Sequence, residues 1–179
     1  MGENYYMTLA GFGGQGILFA GKVIAYAILL EDREISWLPS YGPEMRGGTA
    51  NCSICISDEQ IGSPLVLSPN VFIAMNLPSF DKFIDLVQSG GMAIVDSFLI
   101  NKRIKRNDIK AFYIPATKIA EENDLKGLAN MVMLGKMFKE TKFCKEESLY
   151  LGLEKCVPRS KSNLLKLNKK AISLGMAYE

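Results

Sequence analysis

The sequence predicts an α/β fold: a three-layer sandwich with a mostly parallel sheet, Rossmann-like in its first half. Strand-like segments alternate with helix-like segments as far as residue 125, a pattern typical of such sheets. Two of the strand-like segments, 71–75 and 92–95, are apolar at every position, as in strands covered on both faces. With 179 residues, we expect one domain over 1–179 whose last third, from about 125 to 179, is helical.

The first half contains one predicted helix among three predicted strands. The strands cover 5–10, 34–38 and 49–57. The helix, 15–30, carries apolar residues around nearly its whole circumference, and Lys22 is the only charge between 17 and 30. A helix of this kind is buried on both sides. One side packs on the sheet, and the other needs more of this chain or another chain.

The second half combines further strands with a series of helices. Three strands are predicted, at 71–75, 92–95 and 111–114. Ser79 resembles an N-cap for a helix over 80–88, and Pro115 can open a helix over 116–122. The remaining predicted helices lie in the last third, at 128–138, 146–156 and 162–174.

Composition excludes several classes of function. The formal net charge of +2 is too small to indicate a nucleic-acid partner. The chain has no histidine, which excludes Ser-His-Asp and Cys-His mechanisms. No apolar run reaches the roughly 18 residues of a membrane span, and no signal-peptide pattern opens the sequence. We therefore expect a cytoplasmic protein that associates with neither nucleic acid nor a membrane.

The four cysteines do not form a convincing metal-binding array. Cys52 and Cys55 make a CxxC pair, but this pair lies in the predicted strand 49–57. Side chains three apart on a strand point to opposite faces, so the two thiols cannot hold one metal together. We interpret them as buried structural cysteines and expect no metal site on this chain.

The last third is basic, and Lys136 is one of many lysines there. Such a distribution is typical of helix faces in contact with solvent. Docking to an acidic partner is the alternative.

A glycine-rich loop, Gly11-Phe12-Gly13-Gly14-Gln15-Gly16, follows the first predicted strand. Its spacing fits the dinucleotide pattern, which also needs an acid at the end of the second strand. The available acids, Glu31, Asp32 and Glu34, lie before that strand or at its first residue, and the strand ends without a carboxylate. A P-loop is excluded because no Gly-Lys-Ser/Thr follows. A stand-alone dinucleotide-binding oxidoreductase or sensor using Gly11–Gly16 stays open as an alternative.

A second glycine-bearing loop joins the second and third predicted strands. It reads Ser40-Tyr41-Gly42-Pro43-Glu44-Met45-Arg46-Gly47-Gly48. Arg46 is suited to a carboxylate or a phosphate. The alternative is that Glu44 and Arg46 anchor the loop or pair across a subunit interface. Because loops that follow parallel strands gather at one edge of a sheet, we expect both glycine loops there.

These loops together resemble the gamma subunit of 2-oxoacid:ferredoxin oxidoreductases, the family that acts on 2-oxoglutarate, ketoisovalerate or pyruvate. The resemblance rests on Gly11–Gly16, on the specific string Tyr41–Gly48, and on the continuation through 61–64 and 71–79. It covers about residues 5–175. It implies a non-autonomous subunit of an enzyme that decarboxylates a 2-oxoacid, forms an acyl-CoA and passes electrons to ferredoxin.

The resemblance also implies where the cofactors and partners lie. Thiamine diphosphate, magnesium and iron–sulfur clusters belong to partner subunits, so this chain alone binds no cofactor and carries no catalytic residue. The implied partners are alpha and beta subunits, with a ferredoxin-like delta subunit as a further candidate and ferredoxin as an indirect one. Helix 15–30 would bury its second face against such a partner.

The glycine loops are then expected at the subunit junction, where they would shape the active site or the approach of coenzyme A. The candidate substrate, CoA or interface residues are Gly11, Gly13, Gly14, Gln15, Gly16, Tyr41, Gly42, Pro43, Glu44, Arg46, Gly47 and Gly48.

Overall fold

A six-stranded sheet forms the centre of the computed structural model, which describes residues 3–40 and 49–179. In the described chain, β3 runs antiparallel to both of its neighbours, and the remaining strands all run in one direction. The prediction of a mostly parallel sheet is therefore confirmed. The order is β2-β3-β1-β4-β5-β6. The strands are β1 (Tyr5–Phe12), β2 (Glu34–Ser40), β3 (Thr49–Ser57), β4 (Val71–Ala74), β5 (Met92–Asp96) and β6 (Lys110–Ile114).

Helices cover both faces of this sheet, which gives three layers. They are α1 (Ile17–Ile28), α2 (Leu77–Phe83), α3 (Ala116–Glu122), α4 (Ala129–Thr141), α5 (Glu146–Cys156) and α6 (Ser162–Ala177). One face packs against α1 and α3 to α6 in the larger apolar cluster. The other face packs against α2 and the segment that joins β5 to β6. We call these the α1 face and the α2 face.

The first half departs from a Rossmann arrangement at one point. The strand that follows α1, β2, is not beside β1, because β3 lies between them. Strands are about 4.8 Å apart, so β2 lies roughly 10 Å from β1. The chain first builds one side of β1 and then builds the other side through β4, β5 and β6. The crevice between β1 and β4 is therefore the topological switch point, where α/β sheets bind ligands.

Helix α1 is buried on both sides by its own chain. One side packs on the sheet and the other packs on α5. A Cβ atom at Gly152 of α5 would lie 2.6 Å from the backbone N of Ala27 and 2.9 Å from the carbonyl oxygen of Val23. Only glycine permits this approach of the two backbones. The expectation that a partner subunit covers this helix is thus wrong, because α5 already does so.

Helix α2 begins earlier than predicted. The side-chain oxygen of Asn76 accepts a hydrogen bond from the backbone N of Ser79 at 2.8 Å, so Asn76 is the N-cap. Pro78 lies in the first turn, where its missing N–H costs nothing. Ser79 is completely buried inside the helix, and the prediction that it caps a helix from Phe80 is wrong.

Lys136 is the exception to the solvent-facing interpretation of the basic last third. It lies on α4 with only 4% of its surface exposed. Its ammonium group pairs with Glu140 at 2.8 Å and donates a hydrogen bond to the carbonyl oxygen of Tyr178 at 3.1 Å. Lys136 therefore fastens the end of α6 to α4 instead of facing water.

The two cysteines of the CxxC pair are buried and point to opposite faces of β3, as predicted. The Cys52 thiol lies on the α1 face, 3.9 Å from the carbonyl oxygen of Ile17. The Cys55 thiol contacts the carbonyl oxygen of Ser63 at 3.7 Å. Burial raises the pKa of the Cys52 thiol to about 12. Within residues 3–40 and 49–179, no cluster of three or more His, Cys, Asp or Glu side chains could hold a metal ion.

None of the helices in the described part of the chain is long and apolar enough to cross a membrane.

Candidate functional site

The first glycine loop lies at the carboxyl edge, the edge of the sheet at which β1, β4, β5 and β6 end. It is held there by Gln15. The side-chain Oε1 of Gln15 accepts a hydrogen bond from the backbone N of Phe12 at 2.6 Å. Its Nε2 donates to the carbonyl oxygen of Met75 at 3.0 Å. Since Met75 follows β4, the Gln15 amide bridges the ends of β1 and β4 across the switch point.

Three glycines of this loop are required by the structure, two because of contacts within the chain and one because of its backbone conformation. A Cβ at Gly11 would lie 2.6 Å from Gln15 Oε1, so Gly11 leaves room for the bridging amide. Gly16 has a φ of +74° and lies against Asn130 of α4, whose Nδ2 donates to the Gly16 carbonyl at 3.0 Å. Gly14 has a φ of +93°, which favours glycine for backbone reasons alone. Two of the three glycines in the dinucleotide-like spacing, Gly11 and Gly16, thus have structural causes in this fold.

Two small cavities flank the loop. The first, about 220 Å³, lies on the β3 side and is lined by residues of the loop, the first turn of α1 and Ala50. The second, about 190 Å³, lies on the β4 side and includes Gln15, Met75, Leu99, Thr117 and Lys126 in its lining. Gly14 borders both cavities, so the loop forms the wall between them.

The first cavity adjoins the N-terminus of α1. The N-cap, Gly16, has no side chain, and the first turn of α1 contains no acidic residue. The amide groups there therefore have no side-chain cap in the described part of the chain, and the positive end of the helix dipole is open to an anionic group.

The second loop, with Tyr41, Gly42, Pro43, Glu44, Arg46, Gly47 and Gly48, lies outside the described residues. Its flanking residues, Ser40 and Thr49, are described. Thr49 is the partner of Phe12 in the β1–β3 ladder, and Ser40 is the partner of Asn51 in the β2–β3 ladder. Both ends of the second loop therefore lie at the carboxyl edge, beside the first loop. The roles of its residues stay predictions.

The acids considered for a ribose contact lie elsewhere. Glu31 is at the far end of α1, and with 12 residues in that helix the separation from the loop is on the order of 18 Å. Its Oε1 accepts a hydrogen bond from the backbone N of Lys145, at the start of α5, at 2.8 Å. Burial alone would raise the pKa of Glu31, but hydrogen bonds from Ser148 and from the Lys145 backbone bring it below its usual value. The carboxylate of Glu31 thus binds the N-terminus of α5 and is not placed to bind a nucleotide in the first glycine loop.

Sequence reasoning missed a set of exposed apolar side chains around the loop. They lie at or just after the ends of β1, β4 and β5, and between 42% and 48% of each is exposed. The available signal was large apolar residues immediately after predicted strands, where polar loop residues are more usual. The four are Phe12, Leu77, Phe98 and Leu99.

It also missed the buried carboxyl group that organises the β5 end of this edge. Asp96 is completely buried, and burial raises its pKa. It accepts hydrogen bonds from the backbone N and the hydroxyl of Thr117, at 3.1 Å and 2.6 Å. It also accepts one from the backbone N of Phe98 at 3.1 Å. Asp96 thereby fixes the turn that carries the exposed Phe98 and the beginning of α3.

Fold and site together define an α/β protein whose glycine loop lies at the topological switch point. Hydrogen bonds of Gln15 hold the loop in place, and exposed apolar side chains surround it. The family model of pyruvate ferredoxin/flavodoxin oxidoreductases matches residues 7–178, and this chain belongs to that family.

Two relatives illustrate two chain lengths within the family. Subunit KorC of 2-oxoglutarate synthase from Methanocaldococcus jannaschii is 37% identical over 168 residues, which are 91% of this chain and 90% of that protein. Subunit VorA of ketoisovalerate oxidoreductase from Methanothermobacter thermautotrophicus is 38% identical over 172 residues. That match covers 96% of this chain but only 36% of VorA, so this chain spans about a third of that relative.

Solved structures agree with this assignment. The gamma subunit of a keto/oxoacid ferredoxin oxidoreductase from Geobacter sulfurreducens has a TM-score of 0.82 and 28% identity, over 96% of this chain and 95% of that one. A 2-oxoglutarate:ferredoxin oxidoreductase from Magnetococcus marinus, solved with 2-oxoglutarate, coenzyme A and succinyl-CoA bound, shares the fold. Its TM-score is 0.89 at 23% identity, over 99% of this chain and 31% of that chain.

Proposed function

We propose that this chain is the gamma subunit of a cytoplasmic, multisubunit 2-oxoacid:ferredoxin oxidoreductase. The enzyme would convert a 2-oxoacid such as 2-oxoglutarate to an acyl-CoA and pass the electrons to ferredoxin. The matches to KorC and to the Geobacter gamma subunit, over 91% and 96% of this chain, support a subunit of this type. Alpha and beta subunits are the proposed partners, with a ferredoxin-like delta subunit as a third.

The observation that carries the proposal is the apolar carboxyl edge around the braced loop. Phe12, Leu77, Phe98 and Leu99 are each more than two fifths exposed, although they follow strands of one sheet. Several large apolar side chains exposed along one edge are typical of a contact with another protein. Because the edge also holds the glycine loop and both ends of the second loop, the same contact would complete a site at the junction.

Within that site the chain's own residues would bind and orient an anionic part of a substrate. The N-terminus of α1 offers uncapped backbone amides beside the first cavity. Arg46, on the second loop, would add a guanidinium for a carboxylate or a phosphate. The apolar rim, once covered by a partner, would exclude water and strengthen both interactions.

Thiamine diphosphate, magnesium and the iron–sulfur clusters are assigned to the partner subunits. The thiols of the CxxC pair do not suit a cluster, since Cys52 and Cys55 point to opposite faces and burial raises the pKa of both. When bound to its own subunit, thiamine diphosphate supplies the carbanion chemistry of decarboxylation.

A stand-alone dinucleotide-binding protein is the second candidate, and three observations oppose it. The Gln15 amide occupies the switch point, β3 separates β1 from β2, and Glu31 is engaged with α5. Addition of NAD or FAD to the purified chain should therefore leave its melting temperature unchanged. A saturable rise of several degrees would support this second candidate instead.

The test of the main proposal is co-expression with alpha and beta subunits from the same source. The assembled protein should reduce ferredoxin only when both a 2-oxoacid and coenzyme A are present. We expect an assembly that lacks this chain to lose that activity. If the assembly without this chain keeps the same kcat and the same KM values, the proposed function is wrong.

A further inference from the structure

A strongly basic segment crosses the α2 face of the molecule, away from the carboxyl edge. Residues 101–110, which join β5 to β6, hold five cations and a single acid, Asp108. The chain as a whole has a formal net charge of only +2, so positive charge is concentrated here. The five cations are Lys102, Arg103, Lys105, Arg106 and Lys110.

Two of these cations fasten the segment to α2 and to the turn that follows α2. The guanidinium of Arg106 donates to the carbonyl oxygens of Ile84 and Val87 at 3.1 Å and 2.6 Å, and it pairs with Asp108 at 2.6 Å. Lys102 pairs with Asp81 of α2 at 2.6 Å. The segment is therefore presented in a fixed conformation instead of moving as a solvated loop.

Two other cations are left available by this anchoring. The guanidinium of Arg103 stacks 4.1 Å from the centre of the Tyr113 ring, which occupies its face and leaves its in-plane N–H groups free. Lys105 is exposed, and in the described part of the chain neither residue has a hydrogen bond or an ion pair. Ile104 lies between them, packs on the core and donates its N–H to the Tyr113 hydroxyl at 2.9 Å.

A cavity of about 290 Å³ separates this segment from α2. Phe80, Ile84 and Ile104 give it apolar walls, and its rim carries cations from the segment. Asp81 of α2 and Asp85, in the turn after α2, also line it, so the surface alternates in charge. These carboxylates would repel a nucleic-acid backbone, whereas a protein surface can match both signs.

The geometry points to the α2-face segment 101–110 as a docking site for an acidic protein surface. Carboxylates of the partner bind the free N–H groups of Arg103 and the ammonium of Lys105, and one apolar side chain of the partner enters the cavity. This inference rests on the proposed function for the identity of the partner, which is the most acidic subunit of the same enzyme. Charge complementarity is the argument for that partner.

The test compares two double charge reversals, each of which changes the net charge by the same amount. The first is Arg103→Glu with Lys105→Glu. The second, Lys161→Glu with Lys166→Glu, changes exposed cations at the start of α6 and serves as the matched control. Affinity for each purified partner subunit is measured by titration at several salt concentrations, and circular dichroism verifies the fold of both variants.

The wild-type chain should bind the most acidic subunit more weakly as salt rises. The first variant should lose roughly tenfold in affinity at low salt and much of the salt dependence, while the control stays within about twofold. Three results would overturn the inference. The chain binds every subunit with equal affinity, the control variant loses as much affinity as the first variant, or the chain binds a test RNA and no acidic subunit. Ferredoxin reduction by the wild-type assembly is measured in a separate assay. That assay tests the proposed function, whereas the binding measurements test the docking site.

Discussion

The side chain of Gln15 donates a hydrogen bond to the backbone carbonyl of Met75 at 3.0 Å, across 60 residues of sequence. The same amide accepts a bond from the Phe12 backbone N at 2.6 Å. One side chain thus joins the ends of β1 and β4, where α/β proteins usually leave a ligand-binding crevice. Gln15, which a dinucleotide pattern does not require, is explained by this bridge.

Replacement of Gln15 by Ala should destabilise the chain by about 1–2 kcal/mol, because two backbone groups lose their partner at a partly buried site. Chemical denaturation monitored by circular dichroism measures this change. Gln88→Ala, which removes an exposed glutamine, is the matched control and should change stability by less than about 0.5 kcal/mol. Similar small effects for both variants would show that the bridge is not formed in solution.

Gly16→Ala should cost more than about 1 kcal/mol, because Gly16 has a φ of +74° and its new methyl group would collide with Asn130. Gly62→Ala is the control, since no atom lies within 4 Å of the place that its new methyl group would take. A Gly16→Ala, Asn130→Ala double variant should recover the part of the cost that comes from the collision. If the double variant is no more stable than Gly16→Ala, the whole loss of stability comes from the backbone conformation and none from the collision.

The Glu31 contact with α5 predicts a pH dependence of stability. The pKa of Glu31 is lowered in the folded chain, so its contribution is present above the unfolded value of about 4.3 and is lost as the pH falls below it. Glu31→Gln should therefore cost from a few tenths to about 1 kcal/mol at pH 7, and this cost should shrink as the pH falls below about 4. Glu34→Gln, an exposed neighbour, should show no such difference; a pH-independent cost for Glu31→Gln would contradict the account.

The cysteines should resist thiol reagents in the folded chain. Burial raises the pKa of Cys52 to about 12, and it does the same for Cys144. It raises the pKa of Cys156 to about 11. Because the thiolate is the reactive form, labelling at pH 8 should be slow for the native protein. In guanidinium chloride the chain is unfolded, and all four cysteines should react rapidly with the thiol reagent. Fast native labelling would contradict the burial described here.

Local patterns predicted the elements but not how they pair. The limits of α3 and α5 follow from proline, charge and apolar spacing, and those of the fully apolar strands follow from composition to within one residue. Nothing local places β3 between β1 and β2, or α5 on the second side of α1, since each depends on contacts between distant parts of the chain. The choice of Asn76 as N-cap in place of Ser79 was not predicted either; α2 begins at Leu77, three residues after the end of β4.

The candidate site was predictable to a similar extent. The glycine loops and their common edge follow from strand–loop–helix order, and the flanking residues of the second loop agree with it. The bridge from Gln15 to Met75 and the packing of Asn130 on Gly16 join residues 60 and 114 positions apart. A pattern of glycines therefore indicated a loop of special conformation, but it could not say which contact requires that conformation.

If the exposed apolar edge is a contact surface, a polar substitution there should weaken binding to the partner subunits without unfolding the chain. Phe98→Ser removes a side chain that is 48% exposed, so the free energy of unfolding should change by less than about 1 kcal/mol. Affinity for the partner subunits should fall by tenfold or more if this aromatic residue anchors the interface. Leu67→Ser is the control, because Leu67 is 73% exposed but lies away from this edge.

Hydrogen–deuterium exchange of the chain, free and in the co-expressed assembly, tests the central claim most directly. If the carboxyl edge is the subunit junction, assembly should slow exchange in 11–16 and 97–100, and in the second glycine loop between β2 and β3. The solvent-facing amides of α6 should exchange at the same rate in both states. Unchanged exchange in 11–16 and 97–100, with protection confined to other surfaces, would contradict the claim that the braced glycine loop lies at the junction.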